Sequence, residues 1–257
     1  EIVTLDKNGI SSRFFVTPGT TTPAHCIFEH VYFAKQSSMI FGESVHEVRK
    51  RSGKRLAQEH PVDADIVVPV PDSGTSAAVG YSQESGIPFD MGFVRSHYVG
   101  RTFISPSQDL RDLGVKLKLQ VVKEAVRNKR VIVIDDSIVR GTTTRGKIKS
   151  LREAGAKEVH MRVACPPVKH PCFYGVDFPT REELVANQCT LDQIRDYLGV
   201  DTLGYLSLQG LLECVSLPAN HYCTACWSGQ YRIPVTAVVN KFSMERHQMQ
   251  LFDDIEL

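Results

Sequence analysis

Four branched apolar residues in a row, Val131, Ile132, Val133 and Ile134, run directly into two adjacent carboxylates, Asp135 and Asp136. Such a run reads as a short strand buried on both faces, because nothing in it alternates toward water. The segment Ser137-Ile138-Val139-Arg140-Gly141 then turns the chain, and Thr142, Thr143 and Thr144 open an amphipathic stretch with helical spacing. Strand, tight turn and helix make the unit of open α/β sheets, whose ligands bind outside the carboxyl ends of the strands. The acid pair is therefore expected at a ligand-binding edge. Small residues with free backbone N–H groups are expected at a helix N-terminus, which is a ready anion site. A lone acid pair in a turn is more often a solvated cap. Here the branched run, the acids, the glycine and the threonines occur together, and they describe a site for a phosphorylated sugar.

The same grammar occurs upstream. Residues 66–70 read IVVPV, followed by Pro71-Asp72-Ser73-Gly74 and a helix-like stretch over 75–85. PDSG is a common turn composition, but its place at a strand end matches the acid loop and predicts a second anion-binding turn. Between the two units, residues 95–118 keep no sustained period and carry Arg95, Arg101, Arg111, Lys116 and Lys118. A long basic loop inside a compact domain is expected to be a lid over a polyanion rather than idle surface.

These strings reach beyond a general fold. The run VIVIDDSIVRGTTT (131–144) resembles the phosphoribosyl-pyrophosphate (PRPP) motif of type I phosphoribosyltransferases. Together with FEHVYFA (28–34), VPVPDSG (68–74), RSHYVGRTFISPSQDLRDLGVKLKL (95–119), LREAGAKEVH (151–160) and HPCFYGVD (170–177), it closely resembles the amidophosphoribosyltransferase family, in that family's order. The resemblance weakens after about residue 234. It implies a type I phosphoribosyltransferase fold: an α/β, open, mostly parallel, doubly wound sheet.

The implied chemistry is the first committed step of purine biosynthesis. Ammonia attacks C1 of PRPP, pyrophosphate leaves, the anomeric centre inverts, and 5-phosphoribosylamine forms. Site roles carried over by resemblance place Mg²⁺ at Ser73, Asp135 and Asp136, with the two aspartates also holding the ribose hydroxyls. Ser137, Ile138, Val139, Arg140, Gly141, Thr142 and Thr143 would cradle the 5′-phosphate. Asp72, Ser73 and Gly74 would meet the pyrophosphate, and Tyr98, Arg101, Lys116 and Lys118 would close over it. The same resemblance implies ammonia supplied from glutamine by a further N-terminal domain, purine nucleotides as feedback inhibitors, and a homo-oligomer, dimer or tetramer.

One departure is plain. The family opens with a glutaminase domain whose N-terminal cysteine is the nucleophile, whereas this chain begins Glu1-Ile2-Val3-Thr4 and has its first cysteine at Cys26. Residues 1–22 are expected to be the end of such a domain plus a linker. Residues 23–234 are expected to be the phosphoribosyltransferase domain, and 235–257 a tail.

With 257 residues the chain can bury a substantial core. A net charge of +1 argues against a general nucleic-acid or membrane-surface binder, and no apolar run approaches membrane-spanning length. The seven cysteines are an odd number in a chain without small-secreted composition, which points to a reducing cytoplasm. Cys223-Thr-Ala-Cys226 alone leaves a redox pair, a metal half-site and chance all open. The family resemblance implies a [4Fe–4S] cluster on Cys26, Cys172, Cys223 and Cys226, with zinc on the same thiols as the rival. Cys165, Cys189 and Cys214 match no ligand position and are expected to be buried or partly buried thiols.

Further elements follow from local signals. Lys7-Asn8-Gly9 predicts a hairpin, and Ser44 caps a helix over 44–59 with Glu47 in capping-box position. Strands are expected over 65–70, 90–94, 130–134 and 158–164, and helices over 75–85, 119–128 and 144–154, closed by Gly155. Capping boxes at Thr180/Glu183 and Thr190/Gln193, and a stretch over 207–215, predict a peripheral helical layer outside the α/β alternation. Three rivals remain at this stage: a purine or orotate salvage enzyme of the same fold, a PRPP-sensing regulator, and an inactive fragment.

Overall fold

The structure is a computed structural model and describes residues 1–17, 19–96 and 119–234. It opens with an antiparallel hairpin, β1 (Ile2–Asp6) and β2 (Gly9–Arg13), closed at the predicted turn by the Asp6↔Gly9 pair. Every residue of these two strands is exposed. Then come β3 (His25–Cys26), a π-helical turn (Glu29–Phe33), β4 (Met39–Ile40) and β5 (Glu43–Ser44). They lead into helix α1 (Val45–Glu59), where Ser44 Oγ caps the first turn by accepting from Glu47 N at 3.4 Å.

The α/β body follows: β6 (Ile66–Pro69), α2 (Thr75–Ser85), β7 (Phe93–Arg95), β8 (Leu119–Val121), α3 (Lys123–Val126), β9 (Arg130–Asp135), α4 (Thr142–Glu153) and β10 (Glu158–Val163). After α5 (Val185–Gln188) and α6 (Leu191–Leu198), β11 (Thr202–Tyr205) returns to the sheet. The chain closes with α7 (Leu208–Leu212), β12 (Tyr222–Cys223) and α8 (Ala225–Ser228).

The central sheet is parallel throughout, in the order β11-β10-β9-β6. Its branched runs are buried as predicted: Val67, Val68, Val131, Ile132, Val133 and Ile134 are all fully enclosed. Each such side chain contributes about 1.5–3 kcal/mol on burial, so the run that opens the sequence also anchors the sheet. Helix α2 packs on β6 and β9 and against α1, while α4 packs on β10 and α6. Both βα turns, after β6 and after β9, thus emerge at the same, carboxyl end of adjacent strands.

Three expectations are corrected. Residues 119–128 are not one helix: Leu119–Val121 pairs antiparallel with β7, and only Lys123–Val126 is helical. The β-branched Val121 fits that strand, and its pairing with Phe93 overrides the helical pattern. The strand expected over 90–94 is Phe93–Arg95 and stands outside the parallel sheet, in this antiparallel pair. The layer expected outside the α/β alternation instead contains a sheet strand, because β11 pairs in parallel with β10 and makes α6 a crossover helix. Thr202-Leu203-Gly204-Tyr205 is short and lacks a branched run, so periodicity does not find it.

Both capping boxes form, at Thr180/Glu183 and Thr190/Gln193, although the first opens only a 3₁₀ turn, Arg181–Glu183. Gly155 ends α4 at φ 93°, as expected of a helix-stop glycine. The tail over 235–257 lies outside the described residues. No helix among the described residues is long and apolar enough to cross a membrane.

Candidate functional site

Strand β9 delivers Asp135 and Asp136 to the carboxyl end of the sheet nearly buried, at 3 % and 5 % exposure. Asp136 N–H donates to Asp135 Oδ1 at 3.0 Å, and Lys147 Nζ on α4 donates to Asp135 Oδ2 at 3.0 Å. Asp136 Oδ2 accepts from the Ser137 hydroxyl at 2.5 Å. Burial, and then the adjacent Asp135 charge, push the Asp136 carboxyl well above the usual carboxylate range; hydroxyls of Ser137 and Ser73 pull the other way. Ser73 lies in the other βα turn, so the two loops meet at Asp136.

The β6 loop is held by Val70 N donating to Ile134 O at 2.8 Å and Gly74 N donating to Val70 O at 2.9 Å. Gly74 lies so close to β9 that any Cβ would run into the Ile134 carbonyl. Only glycine permits this approach. Asp72 is exposed: its carbonyl accepts from Gln36 Nε2 at 2.6 Å and its carboxylate pairs with Arg95 at 3.0 Å. The Pro71–Asp72 peptide bond is cis.

After the acids, the chain turns through Gly141 at φ 78°, against the Tyr197 ring. No side chain caps the first turn of α4, and Thr142 and Thr143 are exposed there. A loop of backbone N–H groups at an uncapped helix start is suited to an oxyanion. The cradle residues divide by role. Ile138 is 1 % exposed and belongs to the hydrophobic core, so its side chain faces no ligand. Val139 is half-buried with its carbonyl taken by Val185 N, and Arg140 is paired with Glu183 at 2.8 Å. Tyr98, Arg101, Lys116 and Lys118 lie outside the described residues.

Three residues at this end were not visible in the sequence. Lys147 pairs with Asp135 from within a helix. Arg49 on α1 is buried, donates to the carbonyls of His30 and Ala34 at 2.7 and 2.9 Å, and feels the charge of Asp136. His30 is fully buried with both ring nitrogens unpartnered, beside a cavity of about 10 Å³ shared with Arg49, Ser73 and Asp136. A helical lysine, a helical arginine and a histidine among apolar residues carry no local motif; only the tertiary fold brings them together.

A second cluster holds the four singled-out cysteines. The β3–β12 pair sets Cys26 opposite Cys223. The Cys226 carbonyl accepts from Lys169 N and His170 N at 3.0 Å each, which draws in the segment bearing Cys172. Burial, followed by the neighbouring thiols, raises the Cys26 and Cys226 thiols above the ordinary range. Among the described residues, however, no three His, Cys, Asp or Glu side chains form a shell for a single metal ion. All seven cysteines are free thiols; Cys165 and Cys214 are buried and Cys189 half-buried, as expected.

An open parallel sheet with two anion-ready βα turns around a buried acid pair defines a phosphoribosyltransferase-type α/β protein. The chain is 46 % identical to the Bacillus subtilis glutamine PRPP amidotransferase solved in complex with ADP and GMP, with a TM-score of 0.79 over 90 % of this chain and 51 % of that one. Amidophosphoribosyltransferase from Mycobacterium tuberculosis is 52 % identical over 238 residues, covering 91 % of this chain and 45 % of the relative. The chloroplastic enzyme of Glycine max is 52 % identical over 233 residues, 91 % of this chain and 41 % of that relative. No family profile matches the chain. It belongs to the amidophosphoribosyltransferase family and spans about half the length of the curated relatives it matches.

Proposed function

We propose that this chain carries the phosphoribosyl-transfer site of an amidophosphoribosyltransferase. PRPP sits across the carboxyl ends of β6 and β9, with its 5′-phosphate on the Gly141–Thr143 turn and its pyrophosphate at Asp72–Gly74. Ammonia attacks C1, the C1–O bond to pyrophosphate breaks, and the new ammonium group sheds a proton to give 5-phosphoribosylamine. The observation that carries this reading is the meeting of the two loops at Asp136, where Ser73 of one reaches the acid of the other. Catalysis by such a site is mostly electrostatic, with donors placed where charge develops on the leaving group. Ser73, Asp135 and Asp136 supply hard oxygen ligands suited to Mg²⁺, which would neutralise pyrophosphate charge when bound.

The nitrogen nucleophile is ammonia, free in solution or released from glutamine. Purine nucleotides as inhibitors, a homo-oligomer and a cytoplasmic setting belong to the same reading; the Bacillus relative's complex with ADP and GMP supports nucleotide binding. The test is pyrophosphate release from PRPP by the purified chain. Release that requires ammonium and Mg²⁺, and grows as rising pH frees ammonia, is expected. No release with ammonium and Mg²⁺, or release that is indifferent to ammonium, overturns the reading.

Cys26, Cys172, Cys223 and Cys226 are proposed to hold a [4Fe–4S] cluster. Zinc needs every sulfur about 2.3 Å from one point. The Cys26–Cys223 register and the Lys169 and His170 contacts to the Cys226 carbonyl bring the cysteine-bearing segments together, which either group requires. The site ties the segments around β3, Cys172 and α8 together, and nothing in the proposed reaction moves electrons, so its role is structural. Anaerobically purified protein is expected to be brown, with about four iron and four sulfide per chain; one zinc and no iron refutes the cluster.

A further inference from the structure

We propose that Lys147 is a positioning residue for Asp135, holding its carboxylate in place and cancelling one of the two adjacent negative charges that a polyanionic sugar phosphate meets. The inference rests on the PRPP reading of the site and deepens it. Helix α4 buries Thr144, Ile148 and Leu151. Lys147 lies on the flank of that buried face, its side chain only 16 % exposed. A lysine there is costly unless its ammonium finds a partner. It reaches Asp135 Oδ2 at 3.0 Å, while Asp135 Oδ1 takes the Asp136 N–H. Both oxygens of Asp135 are thus held from within the protein, each with a lone pair to spare for a ligand.

The consequence is a division of labour inside the acid pair. Asp135 is oriented and charge-balanced by a cation from the helix that also presents the phosphate turn. Asp136 forms no ion pair among the described residues: the hydroxyls of Ser137 and Ser73 are its hydrogen-bonding neighbours, and the buried Arg49 acts on it only through its charge. Two uncompensated carboxylates side by side would attract Mg²⁺ strongly but repel the phosphates that must follow it. With Lys147 in place, the site faces the ligand with one negative charge fewer than it would without it. Removing the lysine therefore acts in opposite directions on the two ligands, which loss of structure alone does not do.

The test compares wild type, Lys147→Met and Lys147→Arg by calorimetric titration at pH 8, with Mg²⁺ alone and with PRPP in saturating Mg²⁺, alongside thermal unfolding. Lys147→Met is expected to bind Mg²⁺ alone more tightly and PRPP roughly tenfold more weakly, with Lys147→Arg moving both back toward wild type. Its Tm is expected to fall by roughly 10 °C, because a buried carboxylate loses its partner. The double variant Lys147→Met/Asp135→Asn, which removes both charges, is expected to recover most of that loss, so the ion pair is tested even if the single variant folds poorly. Unchanged affinities in Lys147→Met, or both affinities weakening together, overturn the proposal. Wild type failing to bind PRPP at all overturns the PRPP reading instead, and the Mg²⁺ and unfolding arms still judge the Lys147–Asp135 pair.

Discussion

The two ends of strand β9 treat charge in opposite ways. At its amino end Arg130 donates to Asp65 through its backbone N–H, Nε and a terminal nitrogen, at 2.8, 3.3 and 2.8 Å, and also pairs with Asp63. On the same side of the sheet, Asp201 accepts from Val159 N at 2.7 Å and from Arg152 at 2.6 Å. Every one of these acids has a cation, and the groups are largely open to water. At the carboxyl end two acids sit side by side, nearly buried; among the described residues Asp135 pairs with Lys147, whereas Asp136 forms no ion pair and has the buried Arg49 nearby. A chain selected for stability alone would not keep Asp136 there, since burying a carboxyl beside a like charge is unfavourable. The contrast supports the proposed site at the carboxyl end, where a carboxyl is kept buried beside a like charge without an ion pair of its own.

The comparison breaks if Asp136 proves to be a stabilising residue. Asp136→Asn is expected to cut PRPP-dependent turnover tenfold or more, about 1.4 kcal/mol, while leaving Tm at pH 8 unchanged or higher. The sign follows from linkage. The folded state holds the Asp136 proton more tightly than the unfolded chain does. Wild type therefore gains stability as pH falls through the raised folded value, and loses it as pH rises back through that value. The variant lacks this slope. Wild-type and variant unfolding curves that run parallel between pH 4 and 9 contradict the assignment.

At the amino end the expected effect is small. Arg130 holds the Asp65 carboxyl down to about 2. Its contribution is present above the ordinary carboxylate range and is lost as pH falls through about 2. Because the pair is solvent-screened, Asp65→Asn is expected to leave turnover unchanged and Tm at pH 7 nearly so, with its stability curve meeting that of wild type near pH 2. A loss of turnover in Asp65→Asn merges the two ends and removes the contrast.

How much of this was legible beforehand depended on whether the signal was local. The strands at Ile66–Pro69 and Arg130–Asp135, and the helix Thr75–Ser85, were readable because a doubly buried strand and a glycine-punctuated turn leave their mark within a few residues. The placement of Ser73 against Asp136 was only half legible: each loop announced itself, but not that they touch. Strand β11 stayed hidden because a four-residue edge strand with a glycine has no period of its own, and β8 because its partner β7 lies far away in sequence. Lys147, Arg49 and His30 were invisible for the same reason, since a buried charge is recognised by what surrounds it. Ile138 stands in the phosphate turn by its position in the motif, and its side chain serves the core.

The most direct test of the central claim is calorimetric titration of Mg²⁺–PRPP into wild type, the double variant Asp135→Asn/Asp136→Asn and Asp65→Asn, each shown by thermal unfolding to be folded. Binding by wild type and Asp65→Asn with equal affinity, and its loss by tenfold or more in the double variant, is the predicted result. Equal binding by all three, or weakening in Asp65→Asn alone, would contradict a PRPP site at the carboxyl end of the sheet.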